Sequence, residues 1–199
     1  MKKIFVLLIC FVMTLSCVGC SSSGIGDITT DANGNFEVKL ISAGFVDEIS
    51  MDEDSENFLM PIVDDETKHP LSAKNGNALF HYTYEYKFVG KKPIDDHFHD
   101  FAQPFLKYDK EYLFQENYVS VQNINSKWYF LSSDIYDDVL EKNFGVSNTT
   151  FHISGNTYKP LDDTVYQVRG FIIVPEKIKL ESKSLTFGLR SMGKTYTIR

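Results

Sequence analysis

The chain has 199 residues, enough for one domain of ordinary size with small extras. Its formal net charge of −7 opposes phosphate backbones and anionic headgroups, which argues against nucleic acid as a partner and against an electrostatic grip on a membrane. Aromatic residues make up 14% of the chain, with 16 Phe and 11 Tyr, and such side chains favour half-buried strands.

The first twenty residues are an address. Met1-Lys2-Lys3 is a short basic start, and Ile4 to Val12 is an unbroken apolar run that Met13 to Val18 continues with small polar breaks. This is the pattern of a secretory signal peptide, and the run is too short for a membrane span of about 20 apolar residues. The Gly19-Cys20 step, followed by Ser21-Ser22-Ser23, resembles the lipobox of bacterial lipoproteins. The resemblance implies that Cys20 takes a diacylglycerol and that cleavage falls just before it. Cys17 stands where that family usually has Leu, and Leu15-Ser16-Cys17 offers a rival site. All three cysteines, Cys10, Cys17 and Cys20, lie in this segment, so a mature chain starting at Cys20 has no internal disulfide. Its domain must be held by packing.

Residues 20–35 are rich in Ser, Gly, Asp, Thr and Asn without apolar periodicity, which predicts a flexible tether and ordered structure from Phe36. Phe36, Val38 and Leu40 alternate with Glu37 and Lys39, a half-buried strand continuing to Val46. Residues 47–66 carry nine acids and predict a surface loop, with a short edge strand near Phe58 to Val63. Lys74-Asn75-Gly76-Asn77 is a turn signal. Phe80, Tyr82, Tyr84, Tyr86 and Phe88 then share one face of the strongest strand, and His81, Thr83, Glu85 and Lys87 the other. A slab of five aromatics is expected to lie under a second sheet.

Residues 104–131 hold shorter β segments at Phe105 to Tyr108, Tyr118 to Ile124 and Lys127 to Leu131. Ser133, followed by Asp134, Asp137 and Asp138, predicts a short capped helix that Gly145 stops. Beyond it, Tyr166, Val168, Ile172 and Val174 share a strand face, with Phe171 and Ile173 opposite and Pro175 closing the strand. Leu185, Phe187 and Leu189 alternate with Thr186 and Gly188. Ser191-Met192-Gly193-Lys194 is a turn before a last strand with Tyr196 and Ile198. Seven or eight strands in one domain predict an all-β, immunoglobulin-like two-sheet sandwich with one short helix, following a signal peptide. The domain plan is 1–19 signal peptide, 20–35 lipidated cysteine and tether, and 36–199 sandwich. The run Val168 to Glu176, then Leu185-Thr186-Phe187, is similar to the C-terminal half of telokin-like, immunoglobulin-fold domains of Gram-positive lipoproteins, themselves similar to a secreted mycobacterial antigen sandwich. That pattern has Asn after its aromatic strand, where this chain has Gly90 and Lys91.

Candidate sites are few. His97 and His99 project to one side of an extended chain, and Asp100 or Asp96 adds oxygen, so a metal needs His69, His81 or His152 from elsewhere. Asp52 to Asn57 departs from a calcium loop, with Asn57 at the sixth position and Val63 at the twelfth. No Gly-x-Ser-x-Gly and no phosphate-binding glycine loop occurs. Tyr82, Tyr84, Tyr86, Tyr112, Tyr118 and Trp128 are candidates for stacking on cell-wall sugars, although core packing explains most of them. The expectation is a non-catalytic binding module without cofactor or catalytic residues, held by Cys20 on the outer face of the cell membrane, with a protein or ligand partner the residues do not name. The alternatives are a metal-binding or metal-dependent envelope protein using His97, His99 and Asp100, and a cell-wall glycan binder.

Overall fold

The computed structural model describes residues 24–50, 71–73, 76–96, 103–115, 118–123, 128–131, 156–161 and 163–199. Cys17, Cys20, residues 51–70 with the expected edge strand, His97, His99, Asp100 and the expected helix after Ser133 lie outside the described residues, as do the side chains of Tyr118 and Trp128.

The aromatic strand is the centre of the larger sheet. Strand β5 (Asn77–Phe88) pairs antiparallel along its length with β2 (Phe36–Val46) on one side and β12 (Val165–Pro175) on the other. Adding β1 (Ile28–Thr30), β9 (Tyr118–Asn123) and β10 (Trp128–Leu131) gives six strands in the order β1-β2-β5-β12-β9-β10. A second antiparallel sheet runs β14-β13-β7-β8, from Lys194–Thr197, Leu185–Leu189, Pro104–Tyr108 and Tyr112–Gln115. Short ribbons β3–β4 (Glu48–Ile49 with Leu71–Ser72) and β6–β11 (Ile94–Asp96 with Asn156–Tyr158) flank them. The domain is a β-sandwich.

Packing follows the period-two pattern. Phe80, Tyr82, Tyr84, Tyr86 and Phe88 are all buried, so the aromatic slab is core. Phe187 sits 5.0 Å from Tyr82 and 5.8 Å from Phe80, ring centre to ring centre, with Leu106, Leu185 and Tyr196 buried beside it. A fully buried side chain of this size contributes roughly 1.5–3 kcal/mol relative to exposure. At the far end Tyr86, Phe88, Phe36, Tyr166 and Tyr158 form an aromatic cluster, and the Tyr86 and Tyr158 hydroxyls hydrogen-bond at 3.1 Å. Tyr158 thereby fastens the β6–β11 ribbon to the core.

Three features depart from the sequence pattern. First, β1 lies within the stretch expected to be tether: Thr29 pairs with Val38 and is buried, and the Gly26 amide donates to the Leu40 carbonyl. Asp31 organises the following turn, its carboxylate accepting from the Asn35 and Phe36 amides. Secondly, β2 changes phase. Leu40 pairs with Tyr84 and Ser42 with Thr83, leaving Ile41 as a bulge. Before it Phe36, Val38 and Leu40 face the core; after it Ala43 and Phe45 do. One extra residue lets an eleven-residue strand keep apolar side chains inward while it bends. Thirdly, a five-residue helix, α1 (Glu176–Leu180), starts directly after Pro175, which ends the β12 ladder. Ile178 pins it, and the Arg199 guanidinium donates to the Ile178 and Lys179 carbonyls at its end.

Gly90, just after the aromatic strand, has a packing reason. A Cβ there would meet the Phe88 ring at 2.4 Å and Asn35 Oδ1 at 2.8 Å.

Candidate functional site

Two clusters of polar side chains stand out among the described residues. The first lies on the outer face of the four-stranded sheet. In β7, Leu106 and Tyr108 turn inward, which sends Phe105 and Lys107 outward. Gly188 pairs with Phe105 across the β13–β7 ladder, and a Cβ on Gly188 would meet the Phe105 ring at 2.2 Å. The ring therefore lies over the glycine and forms a floor, continued by half-exposed Leu113 of β8. Lys107 rises from β7 and Lys194 and Thr195 from β14. Two turns close the ends, one with Lys110 and Glu111, the other with Arg190 and Gly193. The groove is open to solvent and has a volume of about 530 Å³, within the usual span of small-ligand sites of roughly 300–1,000 Å³.

The turns are built from unusual backbone. Asp109 and Lys110 have φ of 51° and 63°, and the Glu111 amide donates to the Tyr108 carbonyl, which makes a tight hairpin turn with both central residues left-handed. At the other end Gln103 has φ 43° and its carbonyl accepts from the Arg190 amide, while Gly193 has φ 60°. Three of the four described non-glycine residues with positive φ thus flank β7, and such residues persist only where the surroundings hold them. The first turn is fastened by Lys183, which pairs with Asp109 at 2.9 Å, and by the Tyr108 hydroxyl, which donates to Glu181. That bond to Glu181 raises the Tyr108 phenol above its ordinary value.

Electrostatically the groove is the reverse of the chain. Lys107, Lys110, Arg190 and Lys194 line it with one acid, Glu111. Among the described residues none of these four cations makes an ion pair, whereas Lys87, Lys179 and Lys183 pair with Asp163, Asp47 and Asp109. Sequence reasoning missed the groove. Its cations come from two stretches about eighty residues apart, 107–110 and 190–194, and the alternation Phe105-Leu106-Lys107 was its single local trace.

The second cluster is on the outer face of the six-stranded sheet. Glu85 accepts from Gln167 at 3.2 Å, and Gln167 accepts from Arg169 at 3.0 Å. Next to this ladder His81 is 3% exposed between Leu79 and Phe171, both fully buried. Sequence patterning read His81 and Thr83 as the polar face of the strand; in the structure both are buried, because the two central strands are covered on both faces here. His81 Nε2 has no hydrogen-bond partner among the described residues. Burial, with Arg169 adding repulsion, lowers its pKa to about 4. A buried imidazole whose Nε2 has no partner among the described residues, and whose pKa is lowered, fits a core residue better than an acid–base catalyst.

The other expectations fall out as follows. Tyr82, Tyr84 and Tyr86 are buried and unavailable for stacking, while Tyr112 is 55% exposed at the edge of the small sheet. His81 is the one histidine among the described residues, and no group of three or more His, Cys, Asp or Glu side chains with metal-binding geometry occurs among them. Asp96, a candidate oxygen donor, lies with Asp95 in β6, which pairs with β11. No helix among the described residues is long and apolar enough to cross a membrane.

No protein-family model matches the chain, and no curated protein matches it. Among solved structures it is similar to an uncharacterised β-sandwich protein from Clostridium difficile 630, with a TM-score of 0.53 and 13% identity over 91% of this chain and 98% of that one. A conserved hypothetical protein from Bacillus anthracis aligns with a TM-score of 0.45 and 12% identity, over 88% of this chain and 94% of that one. A candidate lipoprotein from Bacillus subtilis aligns with a TM-score of 0.38 and 10% identity, over 89% of this chain and 39% of that one. The first likeness supports the β-sandwich fold. It supports the fold alone and carries no support for a telokin-like or mycobacterial antigen class.

Proposed function

We propose that the chain is an envelope-displayed, non-catalytic binding module that engages its partner through the groove on the outer face of the four-stranded sheet. The observation that carries the reading is the gathering of Lys107, Lys110, Arg190 and Lys194 around an apolar floor in a chain of net charge −7. Cations without ion-pair partners among the described residues, on strands and the turns that close them, are a ready site for a negative ligand. The described residues bring no nucleophile and base together, so binding accounts for the groove better than chemistry does.

Lipidation of Cys20, at the Gly19-Cys20 step, would hold this module at the outer face of the cell membrane despite its net charge. Each buried methylene contributes about 0.8 kcal/mol, so two acyl chains anchor stably where one does not. Cell fractionation tests the anchor: Cys20→Ser should appear in the medium or remain unprocessed, and a processed, membrane-bound Cys20→Ser chain refutes it. Site-specific photocrosslinking in intact cells tests the groove. A photoreactive phenylalanine analogue at Phe105 should give a discrete adduct, and one at Glu37, in the other sheet, should not. Adducts from both positions, or from neither, would refute the groove as the binding surface.

A further inference from the structure

The shape and charge of the groove narrow its ligand, an inference that rests on the binding reading above. We infer that the groove takes a short stretch of an acidic oligosaccharide, sugar rings carrying carboxylates, seated on Phe105 and Leu113 with its acidic groups held by the cations at the two ends.

Length comes first. Arg190 sits beside Gln103, and Lys107 is four residues further along β7. At about 3.3 Å per residue the cations at the two ends are roughly 13 Å apart. A ligand must span that distance in extended form, which suits a few linked rings and not a single small anion.

Surface comes second. The floor is the Phe105 ring, which lies over Gly188 beside an exposed leucine. The apolar face of a sugar ring packs on such a surface while its hydroxyls remain free for Thr195 and the lysines. An acidic peptide gains most by adding a strand to a sheet edge through main-chain hydrogen bonds. The floor of this groove lies on the face of the sheet over β7 and β13, the two central strands, whose backbones are paired on both sides.

Charge comes third. A bilayer or a nucleic acid extends tens of ångströms past the groove and meets the acidic remainder of the chain. An oligosaccharide of a few rings stays within reach of the four cations, so the local attraction is not cancelled. The groove therefore selects small polyanions over large ones.

Calorimetric titration of the full chain, purified in neutral detergent, with linear tetragalacturonic acid tests this. Binding at one site is expected, at least tenfold tighter than for the fully methyl-esterified tetramer and for a tetraglutamate peptide. Lys107→Gln with Arg190→Gln should weaken it at least tenfold, and Phe105→Ser should weaken it with the cations intact. Lys39→Gln, in the other sheet, should leave it unchanged. Equal binding of the esterified tetramer overturns the role of charge, and equal binding of the peptide overturns the sugar. No binding of tetragalacturonate while the Phe105 crosslink still forms in cells sinks this inference and spares the binding reading. Loss of both sinks both.

Discussion

Replacing His81 should flatten the acid side of the stability profile. The imidazole is buried, has Arg169 nearby, and its pKa falls from 6.5 to about 4. Between those values the unfolded chain binds a proton that the folded chain refuses, so stability is complete above pH 6.5 and is lost progressively as pH falls towards 4. Each pH step of one between the two values is worth roughly 1.4 kcal/mol, and the full interval amounts to about 3 kcal/mol. At pH 5, most of the way through, the loss relative to pH 7.5 is about 2 kcal/mol. With a urea slope of about 2 kcal/mol per molar, that moves the unfolding midpoint by about 1 M. The assay is urea unfolding of the wild type and His81→Leu at both pH values. Carboxylate titrations act on both proteins, so comparing how far each midpoint moves with pH isolates the histidine. Leucine suits a site between Leu79 and Phe171, and His81→Gln serves as a second uncharged variant. If both variants lose as much stability between pH 7.5 and 5 as the wild type, the imidazole is not the acid-sensitive group.

Gly188→Ala should leave stability within about 1 kcal/mol, because the Phe105 ring can swing towards solvent, yet it removes the groove floor; chemical unfolding together with tetragalacturonate titration separates the two effects. Gly90→Asn should cost about 1–3 kcal/mol in denaturant unfolding, since its side chain collides with the buried Phe88 ring. Phe187→Ala should cost about 3–5 kcal/mol by the same measurement, because the ring packs on both Tyr82 and Phe80 at the centre of the sandwich. Tyr86→Phe should cost about 1 kcal/mol by removing the 3.1 Å hydrogen bond between the Tyr86 and Tyr158 hydroxyls.

Much of the sandwich was legible because its core strands obey a period of two. Phe80 to Phe88, Val168 to Val174 and Leu185 to Leu189 each present one apolar set, and each is buried as the alternation requires. The bulge at Ile41 was not legible: alternation before and after it looks like ordinary strand, and only the pairing with β5 reveals the phase change. Strand β1 was hidden because Ile28-Thr29-Thr30 is too short to show a period and sits among turn residues. Strand β8 was missed for a related reason, since Tyr112 and Leu113 are both exposed at a sheet edge and give no inward set. The burial of His81 is a tertiary fact. Nothing local separates it from Glu85 and Lys87, which share its face but are more accessible at the other end of the strand.

The charge of the groove shows why net charge constrains distant partners more than local ones. A ligand acid about 5 Å from three net positive charges gains roughly 2 kcal/mol in dilute salt with water-like screening. About ten net negative charges elsewhere, at roughly 20 Å, take back about 1 kcal/mol when the Debye length is about 30 Å, at 0.01 M salt. At 0.15 M the length is about 8 Å. The distant repulsion then nearly vanishes while the local attraction falls to a little over 1 kcal/mol. The two losses offset each other, so affinity for an acidic oligosaccharide should change by less than about twofold between 0.01 and 0.15 M salt. At 1 M, with a length of about 3 Å, the local attraction itself is screened, and affinity should drop by about threefold per ligand charge. Titration of tetragalacturonate at the three salt concentrations checks this. A steep, steady loss from 0.01 M upward would mean that the acidic remainder exerts no opposing field at the groove. The selection of short anions over long ones would then lose its physical basis.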